Sequence, residues 1–79
     1  MTNLEKYTNA FTESFNVSKD EAEKLKYQDI PAWDSVGHMG LVSAIEGAFD
    51  IMMEADDIID FSSFEKGKEI LSAKYNIAF

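Results

Sequence analysis

Pro31-Ala32-Trp33-Asp34-Ser35-Val36-Gly37-His38-Met39 holds the only proline and the only tryptophan of a 79-residue chain, and it marks where a loop turns into a helix. Proline biases the residue before it towards an extended conformation, and Asp34-Ser35 supplies the side-chain oxygens that a helix start prefers. From there Val36, Met39, Val42, Ile45 and Phe49 recur at helical rather than alternating spacing, which predicts a helix over about 35–49. Ser35 is thereby placed on the first turn of an amphipathic helix, beside backbone N–H groups free to hold an anion.

Projected at the helical period, this segment has three faces. Leu41, Val42, Ile45 and Phe49 share one arc and read as core. Ser35, Met39, Ser43, Glu46 and Asp50 share a second. Gly37, Gly40, Ala44, Gly47 and Ala48 make a third arc of small residues. Each glycine inside a helix costs about 1 kcal/mol relative to alanine, so the three together weaken this helix by about 3 kcal/mol. Close approach of another helix, a partner or a slender ligand would offset that cost, and ordinary close packing is the expectation.

Upstream, Thr2-Asn3-Leu4-Glu5 has the spacing of a capping box and opens a helix expected over about 3–15. Leu4, Tyr7, Phe11 and Phe15 form its apolar stripe, opposite Glu5, Lys6, Asn9 and Glu13. The pattern stops near Asn16. A long loop, about 16–34, follows; Ser18-Lys19-Asp20-Glu21 repeats the capping spacing and predicts a turn or two of helix at 19–25, with Tyr27 and Ile30 as anchors to the bundle.

Downstream, the acidic stretch Glu54 to Phe61 predicts a short helix at about 56–60, its carboxylates forming a solvated helix start. Ser62-Ser63-Phe64-Glu65 reads as a further capping box before a helix at about 63–75, with Phe64, Gly67, Ile70, Leu71 and Tyr75 inward and Lys66, Lys68 and Lys74 outward. Asn76 is the expected stop, and Ile77-Ala78-Phe79 an apolar tail that folds back. The whole reads as one all-α domain over 1–79: a small bundle of three main helices and one short one, with a long loop between the first two main helices. The aromatics Phe11, Phe15, Phe49, Phe61 and Phe64 predict a well-filled interior with little cavity.

Composition narrows the function. Apolar residues make up 46% of the chain, enough to fold. Without cysteine there are no disulfides, thiolate nucleophiles or thiolate metal sites. The first residues do not read as an export signal and no run is long enough to span a membrane, so a cytoplasmic location is expected. Seven basic against fifteen acidic residues give a net charge of −8, which disfavours nucleic acid and suits basic protein partners and simple solubility about equally.

Asp34, Ser35 and His38 invite comparison with a nucleophile, orienter and base. Three residues within five positions do not readily form that relay, and so small a domain has little wall for a substrate or an oxyanion hole. His38 falls among the core-facing positions and reads as a partly buried structural histidine, or as lining for something attached to Ser35. Glu54, Asp56, Asp57 and Asp60 lack the alternation and central glycine of a calcium loop, and one histidine makes zinc improbable. No metal site and no catalytic residue is expected.

Asp34-Ser35-Val36, entering an amphipathic helix of a small acidic helical chain, resembles the phosphopantetheine attachment site of the acyl carrier protein family. The resemblance runs over nearly the whole chain, through Ile45-Glu46 and Phe49-Asp50-Ile51 to the short third helix and the last one. It implies a four-helix carrier, not itself an enzyme, whose serine is modified by a phosphopantetheinyl transferase using coenzyme A and magnesium. Ser35 would bear 4'-phosphopantetheine, making the chain a phosphoprotein that carries an acyl group as a thioester. Its partners would be acyl-activating and acyl-transferring enzymes with basic surfaces, met by Asp34, Val36, Met39, Glu46 and Asp50; a monomer is expected. An aminoacyl carrier, such as a D-alanyl carrier, shares the motif, and an unmodified acidic docking domain would share the charge. Val36 stands where leucine is commoner in fatty-acid carriers, Gly40 and Gly47 where those often have acids, and Trp33 where small residues are usual. These departures point to a specialised carrier of lipid, polyketide or polysaccharide biosynthesis, with a less charged contact surface.

Overall fold

A computed structural model describes residues 1–79. Its elements are α1 (Asn3–Phe15), α2 (Lys19–Ala22), α3 (Ser35–Phe49), α4 (Ala55–Asp60) and α5 (Phe64–Lys74), with one isolated antiparallel bridge, Lys26 to Ser63, and no strand. The fold is all-α, and no helix is long and apolar enough to cross a membrane.

Helix α1 starts as its sequence dictates. The Thr2 hydroxyl accepts from the Glu5 amide at 3.1 Å and the Glu5 carboxylate accepts from the Thr2 amide at 3.0 Å. Those contacts hold the Glu5 carboxyl below its ordinary range. The helix ends at Asn16, which takes the left-handed conformation that asparagine tolerates. Tyr7, Phe11 and Phe15 are buried as expected, but Leu4 is 41% exposed. It lines a small surface pocket together with Glu5, Thr8, Lys19 and Glu23.

The core is an aromatic column. Phe11 packs edge-on to Phe64 at 5.0 Å and to Trp33 at 5.5 Å, and Phe15 stacks on Trp33 at 5.2 Å. Tyr7 is fully buried and donates from its hydroxyl to the Phe64 carbonyl at 2.7 Å; burial pushes its pKa up, with Glu65 adding to the effect. Gly67 lets α5 close on this column, because a Cβ there would run into the Tyr7 hydroxyl and the Phe61 ring.

Trp33 takes no part in the outer surface. It is wholly buried. The loop ahead of α3 is drawn inward by its own backbone: the Trp33 amide donates to the Ile30 carbonyl at 3.1 Å and the Gln28 amide to the Trp33 carbonyl at 3.1 Å. The Tyr27 amide donates to the Ser62 carbonyl and the Phe64 amide to that of Leu25, tying the loop to the link between α4 and α5.

Two further readings change. Asp57 is not part of a solvated helix start: it is 3% exposed, accepting from Lys74 Nζ and from the Tyr75 hydroxyl, each at 2.6 Å, while that hydroxyl accepts from the Glu54 amide at 2.8 Å. This clamp fixes α4 to the end of α5. Helix α5 is capped by Ser63, which accepts from the Lys66 amide at 2.9 Å, so the expected Ser62–Glu65 box is displaced by one residue. After the left-handed Asn76, the Ile77 amide returns to the Leu71 carbonyl, Ile77 is buried, and the Phe79 ring sits 5.3 Å from that of Tyr7. The tail does fold back.

The small-residue arc of α3 divides. A Cβ on Gly37 would strike the Ala32 carbonyl, so the incoming loop requires a glycine there. Gly40 and Gly47 face open space and are exposed, and no helix packs against them; the close packing expected for them is absent.

Candidate functional site

Asp34 builds the junction between loop and helix. Its carboxylate accepts from the Gly37 amide at 2.8 Å and its carbonyl from the His38 amide at 2.8 Å, so Asp34, not Ser35, is the N-cap of α3. Ser35 is left on the first turn, exposed, with no hydrogen bond from its hydroxyl to the rest of the chain. The amides of Ser35 and Val36 likewise find no acceptor in the protein. Asp34 occupies one donor of the helix start, and these two remain for an anion.

His38 follows one turn later, where its ring is fixed at both nitrogens. The Trp33 indole Nε1–H can only donate, and it does so to His38 Nδ1 at 2.9 Å. Nε2 therefore carries the proton and donates to the Ile58 carbonyl at 2.7 Å. Neither nitrogen is turned to Ser35, and Asp34 is engaged with backbone. The ring lies nearly parallel to the indole, at 14° with centroids 6.2 Å apart, and edge-on to Tyr27 and Phe61. His38 is half-buried and joins the loop, α3 and α4 through one side chain.

Beside Ser35 opens a cavity of about 370 Å³. Ser35, His38 and Met39 line it from α3, Ile58 and Ile59 from α4, and Tyr27, Phe61 and Ser62 from the connecting segments. The expectation of little cavity holds for the aromatic column but fails here. No periodicity marks Tyr27, Ile59 or Ser62, which come together only because the Lys26–Ser63 bridge and the His38–Ile58 bond close the loop onto α4.

The residues expected to face partners are not equivalent. Val36 is 79% exposed and Met39 50% exposed, and with Ile59 at 77% they leave apolar surface around the serine. Asp50 is exposed at the end of α3, in the left-handed conformation, its amide donating to the Glu46 carbonyl. Glu46 is not a free acid: half-buried, its carboxylate accepts from the Met53 amide at 2.8 Å and steadies the turn after α3. No family model matches the chain, and neither does any curated protein or solved structure with which it was compared.

Proposed function

We propose that this chain is an acyl carrier of the cytoplasm, bearing phosphopantetheine on the Ser35 hydroxyl and presenting an acyl thioester to successive enzymes. One observation carries the reading: an exposed serine hydroxyl with no intramolecular partner stands on a helix's first turn, at the edge of an apolar cavity. A hydroxyl used for anchoring needs access rather than activation, and the transferase supplies the activation. In that transfer the Ser35 oxygen bonds to the phosphorus next to pantetheine in coenzyme A. The pyrophosphate P–O bond breaks, the hydroxyl proton is lost, and adenosine 3',5'-bisphosphate leaves.

The local residues fit such a group. The resulting phosphodiester would lie against the unpartnered amides of Ser35 and Val36 and the positive end of the α3 dipole. The arm's thiol supplies the thioester linkage; this chain's part is to hold the arm's root, offer Val36 and Met39 as an apolar contact, and surround them with acid. Asp34 and Asp50 remain available to basic partners, which attract at a distance and release readily. The departures at Trp33, Val36, Gly40 and Gly47 favour a specialised carrier over one serving general fatty-acid synthesis.

Intact mass decides. Incubated with coenzyme A, magnesium and a broad transferase, the wild-type chain should gain one phosphopantetheine and Ser35→Ala none. No gain by either chain would leave an unmodified acidic docking domain. The mass of the thioester recovered from cells would separate acyl from aminoacyl cargo.

A further inference from the structure

The cavity beside Ser35 ends at a wall. Its inner side is made by His38 and Phe61, and behind His38 stands the indole of Trp33, backed in turn by Phe11 and Phe15. Phe61 is backed by Phe11 and Tyr7. Everything past these rings is close-packed and admits no further chain.

Building on the carrier reading, we propose that His38, held between the Trp33 indole and the Ile58 carbonyl, sets the length of the carried chain and restricts it to short acyl groups. The ring is an unusually firm wall for a half-buried side chain. Swinging it aside would break the 2.9 Å bond from Trp33 Nε1 and the 2.7 Å bond to Ile58. It would also orphan an indole N–H on a residue with no solvent access. A methylene chain offers nothing to replace either bond.

The volume gives the limit. A cavity of about 150 Å³ holds a benzene ring, so by proportion the space beside Ser35 takes about fifteen non-hydrogen atoms. The arm's last amide C, O and N, its two methylenes, its sulfur and the thioester oxygen are about seven of those fifteen atoms, which leaves about eight carbons of cargo. Longer chains would emerge between Met39 and Ile59, both already exposed, where added methylenes gain little burial.

The test is a length series. The Ser35 arm is installed from acyl-coenzyme A thioesters running from acetyl to dodecanoyl, and the melting temperature of each product is measured. It should rise with length to about octanoyl and then level off. In His38→Ala the rise should continue to longer chains. A wild-type melting temperature that keeps climbing to dodecanoyl, or that never responds to length, overturns the proposal. Should His38→Ala fail to fold, the wild-type series still decides, and His38→Asn provides a smaller wall that keeps a polar atom for Trp33. Failure of Ser35 to accept any arm would instead sink the carrier reading. The wall can then be judged on the unmodified chain, by whether the affinity for free butanol, hexanol, octanol and decanol stops rising at octanol; continued tightening through decanol would refute it.

Discussion

Trp33 donates its indole N–H to Nδ1 of His38 across 2.9 Å, and through that bond the loop before the serine is locked to the helix that begins with it. Trp33 is fully buried, so its substitution combines lost packing with an unsatisfied imidazole nitrogen. Trp33→Phe is expected to cost about 2–3 kcal/mol and Trp33→Ala about 4 kcal/mol, close to unfolding a domain of this size. Urea denaturation of the two variants measures both; a cost for Trp33→Phe below about 0.5 kcal/mol would remove the bond from the account.

Asp34 has two separable roles. As the N-cap of α3 it accepts from the Gly37 amide, and as an exposed carboxylate it stands next to the proposed attachment serine. Asp34→Ala should lose about 1 kcal/mol of stability, whereas Asp34→Asn should keep most of it because asparagine caps as well. If the charge also recruits a basic transferase, Asp34→Asn will be modified more slowly despite its stability. Parallel unfolding and modification rates separate the roles, and equal modification rates for Asp34→Asn and the wild type would leave only the cap.

The glycines give opposite signs along the same sequence. Gly40 and Gly47 face open space with ordinary helical backbone, so Gly40→Ala and Gly47→Ala should each stabilise by about 1 kcal/mol. Gly67→Ala drives a methyl into the Tyr7 hydroxyl and the Phe61 ring, and should destabilise by about 2 kcal/mol. Thermal melts of the three variants check the signs directly.

What the sequence disclosed and what it hid follow one distinction. Period and capping are local, so Thr2–Glu5, Ser18–Glu21 and the stripe from Phe64 to Leu71 could be read directly; helices stand in all five expected regions, with α2 ending at Ala22 rather than near 25 and α5 capped one residue later than its expected box. Trp33 was hidden because a single tryptophan in a loop has no period; only the backbone bonds from Gln28 and Trp33 turn it inward. Asp57 sits among four similar acids, and nothing local distinguishes the one that meets Lys74 and Tyr75 from seventeen and eighteen residues away. Ser35 was legible as a position, but its cavity was not, since five of its eight lining residues come from α4 and the connecting segments, brought to α3 by tertiary contacts.

The Asp57 clamp predicts how stability follows pH. Its hydrogen bonds from Lys74 and Tyr75 hold the Asp57 carboxyl below the ordinary 3.8, so the folded state binds that proton less readily than the unfolded chain. Its contribution is present above pH 3.8 and is lost as pH falls through the folded value. On the basic side, Asp57 raises the pKa of Lys74, while burial and the bond to Asp57 raise that of Tyr75. Those contributions fade as pH climbs above their ordinary values of 10.5 and 10.0. Asp57→Asn should melt lower at neutral pH and lose less stability on acidification than wild type. Since the Lys74 side chain is 57% exposed, salt should weaken the ion pair more than the Tyr75 bond. Melting curves against pH at two salt concentrations test each limb; identical acid limbs for the variant and wild type would refute the clamp.

Val36 separates contact from folding most cleanly. At 79% exposure its side chain is spared by the core, although it stands next to the proposed attachment serine. Val36→Lys should therefore change stability by no more than about 0.5 kcal/mol. In a complex with a basic partner of the kind proposed, the same change would set a cation in an apolar contact and against like charge, adding both desolvation and repulsion. Phosphopantetheine transfer to Val36→Lys is expected to slow about tenfold or more, the equivalent of about 1.4 kcal/mol at the contact. Ser72→Lys supplies the control: it adds the same charge at an exposed position of α5, a helix that contributes nothing to the lining of the cavity beside Ser35, and should be modified at the wild-type rate if the docking surface is the apolar one around Ser35. Equal slowing of both variants would mean that net charge, rather than the Val36 side chain, governs the encounter.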